Sequence, residues 1–334
     1  MERTKIGWPD HTFNPLIGCQ KVSDGCKFCY AEAQMDHRYA RVKWGPLGTR
    51  VRTASRTWRK VETWNRSAWV ECAECGWRGP AKDTIVTIVG NACPLCHASV
   101  NPTRQRVFCA SLSDVFEDHP AWEPVRVDLL TLIEKTSNLD WLLLTKRPQN
   151  VMPLIDKAQA QGGRISDADA WFSRNRHVWI GASIENQPAV EQRLAALLAI
   201  PASVHFLSCE PLLSALDFSF DSDICHCGDS MSDHALYCGH SPIAMKGNYL
   251  VEGVDWVITG CESGTRSRPM ELAWVRSIRD SCAAAKVPLF VKQLPGRPHP
   301  ETNIKNFPDD LQIQQFPSVE YAKATDMASQ ICEI

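Results

Sequence analysis

The chain has 334 residues, 44% hydrophobic and 22% charged, with 36 Lys and Arg against 38 Asp and Glu. This is the composition of a folded globular protein, and the net charge of −2 excludes a polycation, so any nucleic-acid contact must come from a local patch. The length suits one large core or two ordinary ones. No window is apolar over the length of a membrane span, and the first residues lack the apolar run of a secretory signal. The expectation is a cytoplasmic protein with no membrane contact. In that reducing compartment, fifteen cysteines predict metal ligation and not disulfides.

In chain order, residues 4–17 read as a short strand entry, because Pro9 and Pro15 stop a helix. Cys19, Cys26 and Cys29 follow at C-x6-C-x2-C spacing, ahead of a helical-looking run over 31–44. Three close thiolates can hold three irons of a four-iron cluster, leaving the fourth open to a substrate or cofactor. A zinc knuckle completed by a distant ligand is the other reading. Residues 38–66 then carry Arg38, Arg41, Lys43, Arg50, Arg52, Arg56, Arg59, Lys60 and Arg66 against Glu62 alone. Val51, Ala54, Trp58 and Val61 recur at helical spacing, with Arg52, Arg56, Arg59 and Arg66 as a second stripe. The expected helix buries one face and shows an arginine row. That row reads as a phosphate contact, with Trp64 or Trp69 stacking on a base, or as a solvated face.

Cys72, Cys75, Cys93 and Cys96 have the C-x2-C-x17-C-x2-C spacing of a zinc ribbon, predicting an insert over 70–103. Four thiolates close the coordination shell, so its Zn2+ is expected to be structural, and the module useful for gripping a partner or substrate. From residue 106 short apolar strands alternate with amphipathic helices. Strands are expected over 106–112, 140–144, 177–182, 204–207, 254–259 and 287–291, with helices around 121–136, 188–199 and 271–286. The fold class is therefore α/β: a partial or complete parallel (β/α) barrel built from 1–69, 104–219 and 249–296, with two small metal-binding inserts. Nearly every strand ends in polar residues: Asp114, Lys146 and Arg147, Ser183 and Glu185, Glu210, Glu262 and Ser263, and Lys292. Barrel enzymes assemble their sites at such ends.

A second insert, 220–248, holds Cys225, Cys227, His234 and His240, with Cys238 as substitute, as a possible second Zn2+ site. Cys109, Cys209, Cys261, Cys282 and Cys332 read as core or strand-end residues. The tail, 297–334, carries Pro298, Pro300, Pro308 and Pro317 and is expected to wrap the surface.

Taken together, Trp8-Pro-Asp-His-Thr-Phe-Asn-Pro, Gly-Cys19, Gly-Cys26-x-x-Cys29-Tyr-Ala-Glu32, Ser-Leu-Ser-Asp114, Leu-Thr-Lys-Arg147-Pro, Gly-Ala-Ser-Ile-Glu185-Asn, Ser-Cys-Glu210-Pro-Leu-Leu and Gly-Cys-Glu262-Ser-Gly carry a resemblance. Over residues 4–294 the chain resembles a phage and prophage family catalogued as a domain of unknown function and related to radical S-adenosylmethionine (SAM) enzymes. Cys26-Lys-Phe28-Cys29 is similar to the end of the radical SAM motif, where an aromatic residue precedes the last cysteine. The longer first gap is a departure from it. The resemblance implies a radical-SAM-type barrel, a [4Fe-4S] cluster on Cys19, Cys26 and Cys29, SAM on the open iron and an electron donor. Similarity in fold to spore photoproduct lyase makes nucleic-acid chemistry the natural analogy.

Within that resemblance Phe28 packs near the adenine. Charge complementarity assigns Glu210 and Glu262 to the SAM ammonium, and Lys146, Arg147 or Lys292 to its carboxylate. Ser183 and Glu185 go to ribose or substrate, and the small residues around Ser263 let that loop approach a ligand closely. The inserts are expected to roof the barrel mouth and exclude water. The competing expectation is a non-enzymatic zinc protein that binds nucleic acid through ribbon, basic stretch and tryptophans.

Overall fold

The computed structural model describes residues 4, 6–88, 90–164, 166–222, 245–264 and 266–318. The chain enters through β1 (His11–Phe13) and β2 (Leu16–Ile17), and β3 (Val51–Arg52) pairs back on β2. The strands β4 (Trp69–Cys72), β5 (Arg78–Pro80), β6 (Ile85–Thr87), β7 (Gly90–Ala92) and β8 (Val100–Thr103) form the small module around the second cysteine set. Then β9 (Gln105–Cys109), β10 (Leu139–Thr145), β11 (Val178–Ser183) and β12 (Val204–Cys209) alternate with helices. A hairpin of β13 (Ser219–Ser222) and β14 (Met245–Asn248) interrupts the run, which resumes with β15 (Trp256–Gly260) and β16 (Leu289–Gln293).

Seven of these strands, in the order β1-β9-β10-β11-β12-β15-β16, make one all-parallel sheet curled into a half-barrel. The sequence predicts six barrel strands; β1, expected only as a strand entry, is the seventh and forms one edge. At the other edge the tail adds its own backbone: Val291 N–H donates to Ile313 O at 2.8 Å and Gln315 N–H to Leu289 O at 2.9 Å. The tail therefore covers an edge that would otherwise offer unpaired groups.

The period-two alternation of the strands decides where each side chain goes. Val107, Leu143, Ile180, Leu207, Val257 and Val291 point outward, against helices that include Trp122–Lys135, Gln187–Leu198 and Leu272–Ala285. Their neighbours Phe108, Leu142, Trp179, Phe206, Trp256 and Phe290 point inward and form a separate aromatic core, plugged by Trp8 and flanked by Phe316. With both faces covered, the strands read as continuous apolar runs, as buried parallel sheets do.

Two helix expectations change. The run after Cys29 is helical only over Tyr30–Arg38, an α-turn widening into a π-type wind, and Ala40 with φ +48° ends it. The basic helix spans Ser55–Asn65; Val51 and Arg52 are drawn into pairing with β2 instead. Val61 and Trp64 are buried there, with Trp58 partly so. Trp64 stacks on His11 at 4.2 Å and Trp69 meets the same ring edge-on, so neither tryptophan is free to stack on a base. Among the described residues no helix is long and apolar enough to cross a membrane. Cys225, Cys227, His234, Cys238 and His240 lie outside the described residues.

Candidate functional site: a three-cysteine pocket

Alternation also explains why the polar strand ends converge. Continuing the inward register past Leu144, Gly181, Phe206 and Phe290 gives Lys146, Ser183, Ser208 with Glu210, and Lys292. All five line one cavity of about 450 Å3 at the C-terminal ends of the strands, together with Cys19, Cys26, Cys29 and Phe28. Arg147, Glu262 and Ser263 line it as well, and Trp8, Phe108 and Leu144 form its apolar floor. The first three cysteines and the residues expected to contact a cofactor thus share one space, with a single exception in Glu185.

Glu185 is fully buried and serves the cysteine loop from behind. Its carboxylate accepts from Arg193 Nη1 at 2.7 Å and from the Ser23 hydroxyl. A Cβ added to Gly25 would lie 2.9 Å from that carboxylate, so only glycine lets the loop settle so closely. Burial pushes the Glu185 carboxyl up, but Lys146, Arg193 and Ser23 outweigh it and hold it below the usual carboxylate range. The ribose or substrate role expected for Glu185 is replaced by a positioning one, because these partners occupy its oxygens.

Two further ion pairs clasp the same loop. Arg147 donates to Asp114 at 2.6 Å and to Gln20 O at 3.2 Å, and Asp114 also accepts from Thr145 at 2.8 Å. Arg268 pairs with Glu262, donates to Asp24 O at 2.9 Å, and lies 5.3 Å from the Phe28 ring centroid. Tyr30 completes the frame by donating to Ser111 O at 2.6 Å. Asp114, Ser23, Tyr30, Arg193 and Arg268 had no assigned role in the sequence. Only Asp114 carried a signal, as a strand-ending carboxylate.

These engagements sort the candidate ligand contacts. Asp114 is held by Arg147, Glu262 by Arg268, and Glu210 by Lys292 with Ser263 at 3.4 Å. Lys146 faces the cavity with no ion-pair partner among the described residues. Burial pushes the Cys19 thiol up to about 12, with Asp114 and Glu117 adding to the rise and Arg147 opposing it. Burial raises Cys29 too. Thiolates form in such surroundings when a cation takes the proton's place. The described lining contains no histidine and no fourth cysteine, and its three carboxylates are already engaged by cations. The lining thus offers three thiols and no further unengaged donor of the cysteine, histidine or carboxylate kind.

The other cysteine set has the opposite character. The sulfurs of Cys72, Cys75, Cys93 and Cys96 all lie within 4.8 Å of one another, with Cys72–Cys96 and Cys75–Cys93 at 3.5 Å. A tetrahedral ion bound at about 2.3 Å needs sulfurs roughly 3.8 Å apart. Two matching turns bring them together: Gly76 N–H donates to Cys72 O and His97 N–H to Cys93 O, both at 3.0 Å. Both turns need a left-handed residue, Gly76 at φ +70° and His97 at φ +63°. Backbone N–H groups of Cys96 and Leu95 work against burial and bring the Cys93 thiol down to about 7. The site could hold a metal ion and is closed.

This ribbon does not roof the pocket. β8 runs straight into β9 through Arg104, and Arg78 fixes the ribbon's base to Asp10 at 3.3 Å and to Arg104 O at 2.6 Å. It hangs from the N-terminal ends of the strands, while the cysteine pocket sits at their C-terminal ends.

Comparison with known proteins adds a family and no activity. No curated protein and no solved structure is matched by this chain. One family model, described as a protein of unknown function (DUF5131), matches residues 3–316, and the chain belongs to that family.

Proposed function

We propose that this protein is a radical SAM-type iron–sulfur enzyme, cytoplasmic and fed by an electron donor, with a separate structural zinc ribbon. The observation that carries the reading is the pocket's donor set: Cys19, Cys26 and Cys29 border one cavity that offers no fourth cysteine and no histidine among its described lining. A closed zinc knuckle would require that fourth ligand. A cluster held by three thiolates leaves one iron for a cofactor. The cavity's position at the C-terminal rim of a parallel α/β sheet agrees with this.

When bound there, the cluster and SAM would supply one-electron cleavage to methionine and a 5′-deoxyadenosyl radical that takes hydrogen from the substrate. The chain's own residues bind, orient and exclude water. Lys146, the lining cation without an ion-pair partner among the described residues, suits a carboxylate, and Glu210, shared with Lys292, suits an ammonium. Phe28 offers an apolar wall for the adenine, Ser183 and Ser208 offer hydroxyls to a ribose, and Trp8, Phe108 and Leu144 keep the floor dry. The three ion-paired clasps fix the cysteine loop so that its geometry exists before the metal arrives.

The test is anaerobic purification, reconstitution with iron and sulfide, and reduction in the presence of SAM. A SAM-perturbed paramagnetic signal with 5′-deoxyadenosine, both lost in Cys26→Ser, is the expected result. Tetrahedral zinc at the three cysteines with no cluster after reconstitution would overturn it in favour of the zinc-containing nucleic-acid-binding protein.

A further inference from the structure

A cavity of about 450 Å3 is the size of a site for one small ligand, at the low end of the range of about 300–1,000 Å3. Once a cofactor fills it, the group acted on must reach in from the mouth, carried on something that stays outside. Gln34 and Trp44 border that mouth, and the segment between them carries Arg38, Tyr39, Arg41 and Lys43, all exposed.

Subtracting the ion pairs from the basic stretch isolates its free charge. Arg50 is buried on Glu117 at 2.6 Å, Arg52 is paired with Asp128 at 2.6 Å, and Lys43 with Asp36 at 3.3 Å. Arg38, Arg41, Arg56, Arg59, Lys60 and Arg66 remain, all exposed and without an ion-pair partner among the described residues. The acidic residue among them is Glu62, also exposed. In the Ser55–Asn65 helix the buried Val61 and Trp64, with half-buried Trp58, pin one face to the sheet beside Phe13. That leaves Arg56, Arg59 and Lys60 facing solvent. On a chain of net charge −2, this cationic track between pocket lip and ribbon is local. Tyr39, 53% exposed with the Arg38 guanidinium 5.3 Å from its ring centroid, adds an aromatic face at its pocket end.

We infer that the group brought to this pocket belongs to a nucleic-acid strand, gripped along its phosphates by the Arg38–Arg41 lip and the outer face of the Ser55–Asn65 helix. This rests on the enzyme reading for what happens in the pocket, but the grip itself does not. Exposed cations contact phosphates and exposed rings stack on bases, which together bind single strands without strong sequence preference.

The test is fluorescence anisotropy of the full chain, without and with the reconstituted cluster, using fluorescein-labelled single-stranded DNA, single-stranded RNA and duplex DNA. Binding of at least one nucleic acid is expected, falling on the order of a thousandfold between roughly 50 and 200 mM salt if about six phosphates are neutralised. The variants Arg56→Glu/Arg59→Glu and Arg38→Glu/Arg41→Glu change exposed side chains only, and an unchanged melting curve checks their folding. Each should weaken binding tenfold or more and flatten the salt dependence, while Cys26→Ser should bind as the parent does. A failed cluster test would thus leave this result readable. Absence of binding, binding indifferent to both charge reversals, or equal binding of labelled polyglutamate would overturn the inference.

Discussion

The two cysteine groups of this molecule are organised by different forces. The ribbon's four sulfurs are gathered by local backbone, two turns of the same hydrogen-bonding pattern that need nothing from the barrel. The pocket's three cysteines are placed by distant carboxylate–arginine pairs on three different strand ends, Asp114–Arg147, Glu185–Arg193 and Glu262–Arg268. A locally gathered site closes on its metal and does no further chemistry. A site assembled across the sheet can keep one side open, because its shape is set by elements that are not themselves ligands. The ends of the sheet divide accordingly: ribbon at the N-terminal ends, pocket at the C-terminal ends.

The largest expected effect tests the independence of the ribbon. Removing the zinc proposed for it should cost the module on the order of 10 kcal/mol of folding free energy. Amide exchange over 70–103 should become fast under a zinc chelator while β9 to β12 keep their protection. Loss of protection across the whole chain would erase the distinction.

Next comes the clasp behind the loop. Glu185→Gln leaves Arg193 buried without its countercharge and should destabilise the protein by about 3–5 kcal/mol in denaturant melts. Iron retention at the pocket should fall while ribbon zinc stays constant. Replacing both partners, Glu185→Gln with Arg193→Met, should recover much of the stability but not the iron. Recovery of both would mean that the loop needs no clasp.

Acid separates the two ends in sequence. His177, bonded to Ile133 O at 3.0 Å near Arg104 at the ribbon end, is lowered by burial to about 4. Its folded value lies below its unfolded one, so its stabilising contribution is complete above about pH 6.5 and disappears as the pH falls towards 4, a change of about 3 kcal/mol. Glu185 is held below the carboxylate range, so its contribution persists until more acidic solution, below its ordinary value of 4.5. Exchange should therefore quicken at the ribbon end first, and His177→Asn should remove that early step. Simultaneous loosening of both ends would break the ordering.

The smallest effect concerns the partly exposed clasp. Arg268→Met should cost about 1–3 kcal/mol, less than the Glu185 clasp because Arg268 is itself partly exposed, although it leaves the buried Glu262 without its guanidinium. It should still alter the paramagnetic line shape of the reconstituted cluster, since Arg268 holds Asp24 O and lies beside Phe28. An unchanged line shape would leave this pair with a purely structural role.

Much of this architecture is legible in the sequence. Alternating apolar strands and helices announced the parallel sheet, and their polar endings announced the rim, because period-two alternation carries the inward register from Leu144 to Lys146 and from Phe206 to Glu210. The C-x2-C pairs announced the ribbon, whose spacing is its geometry. Three things were not legible. Trp64 and Trp69 look like surface aromatics beside arginines, yet both are buried around His11. Glu185 looks like Glu210 in sequence, yet its carboxylate turns behind the wall to Arg193. The ribbon's position, at the end opposite the pocket, follows from β8 running into β9, which spacing alone does not reveal.

The sequence by itself determined the elements, the two cysteine sets and the list of rim residues, because each is a matter of local spacing and periodicity. Only the tertiary structure decided which charges are spent on one another and which remain for a ligand. Arg147 is bound to a carboxylate 33 residues away, Arg193 and Arg268 to nearer ones that turn back on them, and Lys146 is left facing the cavity. Pairing depends on where each side chain turns within a few ångströms, across the sheet or within one loop, and no pattern along one dimension fixes that direction.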